Sequence, residues 1–421
     1  MLDIKFIREN AEAIKAGAKK KHLEVDIDRL LAVDEKRRGL MQEAEGMRAK
    51  QNEANDKVAA ANPGERSMIL PELKKLKESL QKKEEELKTL DHDWQLLMVQ
   101  VPNVPDLSVP EGESDADNKE IKVWGDKPNI QNPRSHIDLM QALGMADFER
   151  GTKVAGFRGY FLKGDGALLN FAIWRYAQDF FLQKGFMPMI VPSLVRRVNF
   201  LGTGYIPQSE EDLYKTQDGD FLAGTAEVAT MGYHMNEILD GKELPLKYLS
   251  FSPCFRREAG SHGKDVKGLI RVHEFYKWEQ VVLCEASHEV SVELHEWLKR
   301  NTEEFIESLK IPYHTVINCG GDLGLGQVKK YDIELWVPGE NTYREISSAS
   351  YFHDFQTRRL NIRYRDAEGK MQYAHSLNNT AIPTPRILVS LIENYQNEDG
   401  SITVPEVLRP YMGKDKIEKV V

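Results

Sequence analysis

The sequence predicts an α+β protein in two parts: an N-terminal antiparallel helical hairpin, then a domain built on a mainly antiparallel sheet flanked by helices. Three observations predict it. From about residue 28 to 101, apolar residues recur at alternating steps of four and three in a background rich in Ala, Glu, Lys, Leu and Gln, the pattern of paired helices. Pro102 and Pro105 then end the pattern, because proline cannot continue a helix. Beyond about Lys119, short alternating segments such as Asp332–Val337 follow one another among Gly and Pro turns, without the regular intervening helices of a parallel sheet.

The hairpin is clearest in its second half. Ile69, Leu73, Leu76, Leu80, Leu87, Leu90, Trp94, Leu97 and Val101 form one stripe, with Lys83 in its single missing slot. The preceding segment supplies a partner stripe, Val33, Leu40, Met47 and Ala54, and Asn62-Pro63-Gly64 a turn. At about 1.5 Å per residue, helices of roughly thirty residues project about 45–50 Å. Heptads specify helix pairing and not the partner, so alone they favour a dimerisation coiled coil. The charges on these helices are nearly balanced and do not decide the matter.

The Pro-, Asp-, Glu-, Ser- and Gly-rich stretch that follows reads as a linker, dividing the chain into residues 1–105, 106–120 and 121–421. An amphipathic helix is expected from Ala167 to Lys184. With 421 residues, two domains are natural. No apolar run approaches the roughly 20 residues that cross a bilayer, and charges interrupt the N-terminus, so a cytoplasmic protein without a membrane partner is expected. Cys254, Cys284 and Cys319 lie far apart, which points to buried thiols, with no zinc expected. The net charge of −9 means that any binding to nucleic acid rests on local positive charge.

The most informative stretch runs from Phe255 to Glu279. Two β-like runs flank a loop with three glycines and two lysines, Lys264 and Lys267. Strand alternation would place Arg256 and Glu258 on one face, and Arg271, His273, Phe275, Lys277 and Glu279 on one face of the return strand. A core face would not accept so many charges without a ligand or ion pairs. Arginine can clamp a phosphate, phenylalanine can stack on a purine, and a carboxylate can accept from an amino group, so the set suits a nucleotide. His273 reads as a satisfied polar group, and the two loop lysines read equally well as plain solvated residues.

These residues resemble motif 2 of class II aminoacyl-tRNA synthetases. The helix ending near Gly185 with Phe186–Pro192 resembles motif 1, and Asn378–Leu388 with Arg386 resembles motif 3. Pro383 and Pro385 depart from the glycines usual before that arginine and stiffen this wall. Gly224-Thr225-Ala226-Glu227, Arg344-Glu345-Ile346-Ser347-Ser348 and the hairpin resemble the seryl family in particular. Ala349 replaces the cysteine many relatives carry there.

The resemblance implies a class II catalytic domain that uses ATP and Mg²⁺ to activate L-serine and esterify it to tRNA(Ser), with tRNA(Sec) as a further candidate substrate. It implies a homodimer whose N-terminal arm and motif 2 loop hold the tRNA. Arg256, Glu279 and Arg386 would be catalytic. ATP would meet Arg256, Glu258, Arg271, Val272, Phe275, Glu345, Ser348 and Arg386, and Glu345 with Ser348 would hold Mg²⁺. Serine would meet Thr225, Glu227, Arg256, Glu279, Asn378 and Thr380. Two alternatives remain: a ligase of the same fold that loads a carrier protein, and a non-catalytic RNA-binding or coiled-coil scaffold.

Overall fold

The computed structural model describes residues 1–260, 263 and 265–419. It divides into two compact units, Asp3–Lys19 with Leu23–Pro102, and Met1–Leu2 and Lys20–His22 with the chain from Asn103 onward. No helix among the described residues is long and apolar enough to cross a membrane.

The helical unit comprises α1 (Ile4–Glu9), α2 (Ala11–Lys20), α3 (Ile27–Ala60) and α4 (Pro63–Met98). Asp26 caps α3 by accepting from the Arg29 backbone N–H at 2.8 Å. Asn62 and Glu65 cap α4 reciprocally, and Pro63 occupies its first position, where a missing N–H costs nothing. The turn is therefore tighter than Asn62-Pro63-Gly64, because Pro63 and Gly64 already belong to α4. The residues of both stripes are buried or half-buried, with Val101, Leu80 and Leu40 deepest. Lys83 fills its slot by pairing with Glu43 of the facing helix at 2.8 Å, and Arg48 pairs with Glu84 at 2.7 Å. The two helices thus close on each other within one chain, and the apolar stripe does most of the holding, since exposed pairs contribute about 1 kcal/mol or less.

The larger unit is organised by one eight-stranded sheet: β1 (Lys119–Trp124), β2 (Met187–Ile190), β3 (Leu246–Phe255), β4 (Glu274–Cys284), β5 (Tyr313–Ile317), β6 (Lys329–Val337), β7 (Thr342–His353) and β8 (His375–Thr384). Their order is β1-β5-β6-β7-β8-β4-β3-β2, and every neighbouring pair is antiparallel except β2 with β3. Helices α5 (Asp165–Gln183), α6 (Glu227–Tyr233), α7 (His288–Ser308) and α8 (Arg386–Asn394) pack around it. The main core holds Ile173 and Phe181 of α5, Phe305 and Ile306 of α7, Leu388 of α8, and Trp278, Val282, Leu377 and Ile382 of the sheet.

The stretch expected to be a linker is hydrogen-bonded into this unit. The Asn103 and Asp106 backbone N–H groups donate to the Leu325 and Val328 carbonyls, each at 2.9 Å, and the Gly320 N–H donates to the Pro110 carbonyl at 3.0 Å. Its prolines lack N–H donors, but many of its remaining amides find partners. The three cysteines are buried and unpaired by disulfides.

Candidate active site

Strand alternation splits the central strands into two chemically distinct faces. On β4, Trp278, Gln280 and Val282 face the helices, where Gln280 donates to Thr302 of α7 at 3.0 Å. Lys277 and Glu279 face a cavity instead. On β8, Asn379 donates to the Leu298 carbonyl of α7 at 2.7 Å, while Asn378 and Thr380 line the cavity.

Two β-bulges make this face more polar than regular alternation allows. The β6–β7 register skips Ile346, so Ile346 and Ser347 both point to the helix side and Glu345 and Ser348 both line the cavity. An odd separation of three would otherwise put Glu345 and Ser348 on opposite faces. The β4–β8 register skips Ala381, so Ala381 and Ile382 enter the core while Thr380 and Pro383 stay at the site.

One cavity of about 270 Å³ is lined by Thr225, Glu227, Arg256, Glu279, Asn378 and Thr380, every residue expected to meet serine, together with Lys277, Glu345 and Ser348. Glu227, at the start of α6, is 3% exposed and accepts from Gln356 at 2.7 Å and from the Tyr205 hydroxyl at 3.0 Å. Burial pushes its carboxyl up to about 7, with the charge of Glu279 adding to the effect. Glu279 is ion-paired with Lys277 at 2.5 Å, and both are buried. The Lys277 ammonium also donates to the Thr380 hydroxyl at 3.3 Å. A desolvated carboxylate beside hydroxyl and amide groups suits a small ligand carrying an ammonium and a hydroxyl.

A second cavity of about 50 Å³ adjoins it and is lined by Arg256, Glu258, Val272, Phe275, Glu345, Pro383, Pro385 and Arg386. The Arg256 guanidinium lies 5.2 Å from the Phe275 ring centroid. Arg386, the first residue of α8, donates to the carbonyls of Ile270 and Glu345, each at 2.8 Å, and burial lowers its pKa. An aromatic face, two guanidinium groups and a carboxylate are what a purine nucleotide with phosphates requires.

The sheet does not carry the whole phosphate-side set as alternation predicted. β3 ends at Phe255, and Glu258 lies beyond it at φ 55°. β4 begins only at Glu274, so Arg271 and His273 precede it. His273 is not on the face of Phe275, Lys277 and Glu279. It lines a separate apolar cavity of about 640 Å³ with Phe157, Tyr214 and Tyr276, and its Nδ1 lies 3.0 Å from the Arg256 carbonyl. Arg271 lines neither site cavity but pairs with Glu258 at 2.6 Å and with Asp265 at 3.4 Å. Lys267 is exposed, and Lys264 lies outside the described residues.

Sequence reasoning assigned no role to Lys277, Tyr205, Gln356 or Asp332. The alternation that selected Phe275 and Glu279 also carried Lys277, whereas Tyr205, Gln356 and Asp332 stand in no pattern with the others. Asp332 lies directly across the ladder from Ser348, is 5% exposed and has an Oδ1 without a hydrogen-bond partner. No group of three or more His, Cys, Asp or Glu side chains among the described residues is arranged to hold a metal ion. Glu345 and Ser348 offer two hard oxygens on one wall, with the unpartnered Asp332 oxygen behind. This set fits Mg²⁺, which takes few protein ligands and completes its shell with water and phosphate oxygens.

The antiparallel sheet, the Arg-x-Glu turn between β3 and β4 and the arginine opening α8 define a class II aminoacyl-tRNA synthetase, and a family model for the class II core domain (G, H, P, S and T) matches residues 214–395. A second, the seryl-tRNA synthetase N-terminal domain, matches residues 1–105. The serine–tRNA ligases of Deinococcus radiodurans and Bacillus subtilis are 45% and 42% identical to this chain, aligned over 98% and 100% of both sequences. The structure of a seryl-tRNA synthetase from Pyrococcus horikoshii complexed with ATP is similar with a TM-score of 0.92 and 39% identity, covering 100% of each chain. This chain belongs to the seryl-tRNA synthetase family.

Proposed function

We propose that the protein activates L-serine with ATP to seryl-adenylate and transfers the seryl group to the 3′ end of tRNA(Ser). The observation that carries this reading is that the two cavities share Arg256, Lys277, Glu345 and Thr380. A serine carboxylate and a nucleotide α-phosphate would therefore meet at one guanidinium. A serine carboxylate oxygen attacks the α-phosphorus and pyrophosphate leaves in line, a step governed by positioning and charge with no general base.

In this reading Arg256 holds the α-phosphate and the carboxylate. Phe275 and Arg386 cover the two faces of adenine, and Arg386 also reaches the γ-phosphate. Glu258 accepts from the adenine amino group, with Arg271 holding Glu258 in place and Val272 closing the purine slot. Glu279, Glu227 and Thr225 receive the serine ammonium, and Asn378 and Thr380 its hydroxyl, so that alanine would leave buried polar groups unpaired. Glu345 and Ser348 are the residues that would hold Mg²⁺, which when bound supplies positive charge against the phosphates. Arg256, Glu279 and Arg386 are the catalytic residues. In the second step the terminal adenosine hydroxyl of the tRNA attacks the adenylate carbonyl.

We assign tRNA binding to the α3–α4 arm and to Lys264 and Lys267 of the motif 2 loop, and infer a cytoplasmic homodimer. The dimer is supported by exposed apolar side chains on the edge strand, where Ile190 and Met187 of β2 are 86% and 50% exposed, and on α5, where Phe171 is 57% exposed. The test is serine-dependent exchange of pyrophosphate into ATP, followed by charging of tRNA(Ser) and tRNA(Sec) with labelled serine. Serine-dependent exchange with charged tRNA(Ser) supports the proposal, and tRNA(Sec) charging would extend it. Adenylate without charged tRNA would make the protein a carrier-loading ligase, and no exchange would leave a scaffold.

A further inference from the structure

One wall of the larger cavity is the loop Gly324-Leu325-Gly326-Gln327 between β5 and β6. Two of its four residues are glycines, so it has few side chains with which to anchor itself. Gln327 bonds back to Gly324, its backbone N–H donating to the Gly324 carbonyl at 3.2 Å, and the loop's carbonyls are further anchored from outside. The Lys21 ammonium donates to the carbonyls of Gly324 at 3.0 Å, Leu325 at 3.1 Å and Gln327 at 2.5 Å. The remaining carbonyl, of Gly326, accepts from the Asn103 amide at 3.1 Å, while the Asn103 backbone N–H reaches Leu325 at 2.9 Å. All four carbonyls of the loop are thus held by two residues distant in sequence.

Lys21 is 2% exposed, and its three donors meet three carbonyls and no carboxylate. Burial without a counter-charge lowers its pKa to about 7, so the group is a net cost that plain packing would avoid. The loop in turn controls Gln327, whose Oε1 accepts from the Gly324 backbone N–H at 2.6 Å and whose Nε2 donates to Ser350 at 2.8 Å. Ser350 lines the same cavity, two residues along β7 from Ser348. At Gly326 a Cβ would lie 2.6 Å from the Phe355 ring, so the backbone packs too closely against that ring for any side chain.

We propose that Lys21 is a positioning residue for the serine cavity: by drawing the carbonyls of Gly324, Leu325 and Gln327 to one point, it holds this loop as a rigid wall and fixes Gln327 on Ser350. The inference rests on the proposed function, since it names what Lys21 does for the amino-acid half of that site. Lys21 touches no substrate and acts only through the loop.

The test uses the full chain with Lys21→Met, which keeps most of the length of the side chain and removes its three donors, beside Lys21→Arg and Asn103→Ala. In pyrophosphate exchange, Lys21→Met is expected to raise the serine KM at least about tenfold, since sub-ångström misplacement is costly, and to change the ATP KM less than about twofold. Lys21→Met combined with Asn103→Ala should raise the serine KM by less than the product of the single effects, because both act on one loop. A lowered Tm and active fraction with unchanged serine KM would show a purely structural lysine and overturn the proposal. If Lys21→Met does not fold, Lys21→Arg decides. It keeps the charge but cannot bring three donors to one point, so a folded Arg variant with wild-type serine KM overturns the proposal. Absence of serine-dependent exchange in the unmodified protein would instead remove the proposed function, and this role with it.

Discussion

Replacing Glu227 by glutamine should make the protein more stable at neutral and alkaline pH while weakening its hold on serine. The Glu227 carboxyl is 3% exposed, with Gln356 donating to one oxygen and the Tyr205 hydroxyl to the other. A glutamine can keep both contacts, accepting from Gln356 and donating to Tyr205. Burial raises the carboxyl from its ordinary 4.5 to about 7, so the fold favours the neutral acid. The stabilising contribution of that neutral form is complete below pH 4.5, falls as pH rises, and is lost above about 7. At 1.36 kcal/mol per pH unit, the gap corresponds to roughly 3 kcal/mol.

Glu227→Gln carries none of this dependence. Its stability relative to the unmodified protein should be near zero at pH 4.5 and rise by roughly 3 kcal/mol by pH 8, a Tm gap of a few °C for a chain of this size. Thermal unfolding of both proteins from pH 5 to 8.5 measures it. In exchange assays the serine KM should rise about tenfold or more, as a charged hydrogen bond is worth roughly 1.5–3 kcal/mol. A Tm gap that is the same at every pH, or largest at pH 5, would refute the reasoning.

Arg256→Ala should cut serine-dependent pyrophosphate exchange by about 10²–10³, because a fixed donor is lost where charge develops; near-normal exchange would reject its role. Thr380→Val removes a hydroxyl that accepts from Lys277 and donates to Glu279, and it should raise the serine KM more than the ATP KM. A larger effect on ATP would mean that the cavity is assigned to the wrong substrate. Replacing residues 28–101 by a short linker should spare adenylate formation and reduce tRNA charging by orders of magnitude, since α3 and α4 close on each other and the larger unit has its own core. Equal loss of both activities would show that the catalytic unit needs the arm to fold.

Much of this was legible in the sequence because two simple periods were kept. The heptad steps from Ile69 to Val101 identified the buried stripe of α4, including the slot where Lys83 reaches across to Glu43. Alternation by two selected Phe275, Lys277 and Glu279 as one face of β4, and they do line the two site cavities. The same rule misplaced His273, because it extended β4 by three residues beyond Glu274, where the strand begins. Nothing local marks that boundary; it is set by where the chain leaves its pairing with β3.

The sequence by itself determined which segments pair as helices, which strands alternate and which side chains have the chemistry for a nucleotide, since these depend on residue type at a fixed short period. Only the tertiary structure decided how those groups converge. Glu345 and Ser348 share a wall because a bulge at Ile346 shifts the register by one, and Thr380 and Pro383 do so because of a bulge at Ala381. Tyr205 and Gln356 reach Glu227, and Lys21 reaches the loop that walls the cavity, from segments whose local pattern is unremarkable, separated by up to about three hundred residues from the groups they hold. Such contacts depend on through-space distance and burial, which no short window of residues encodes.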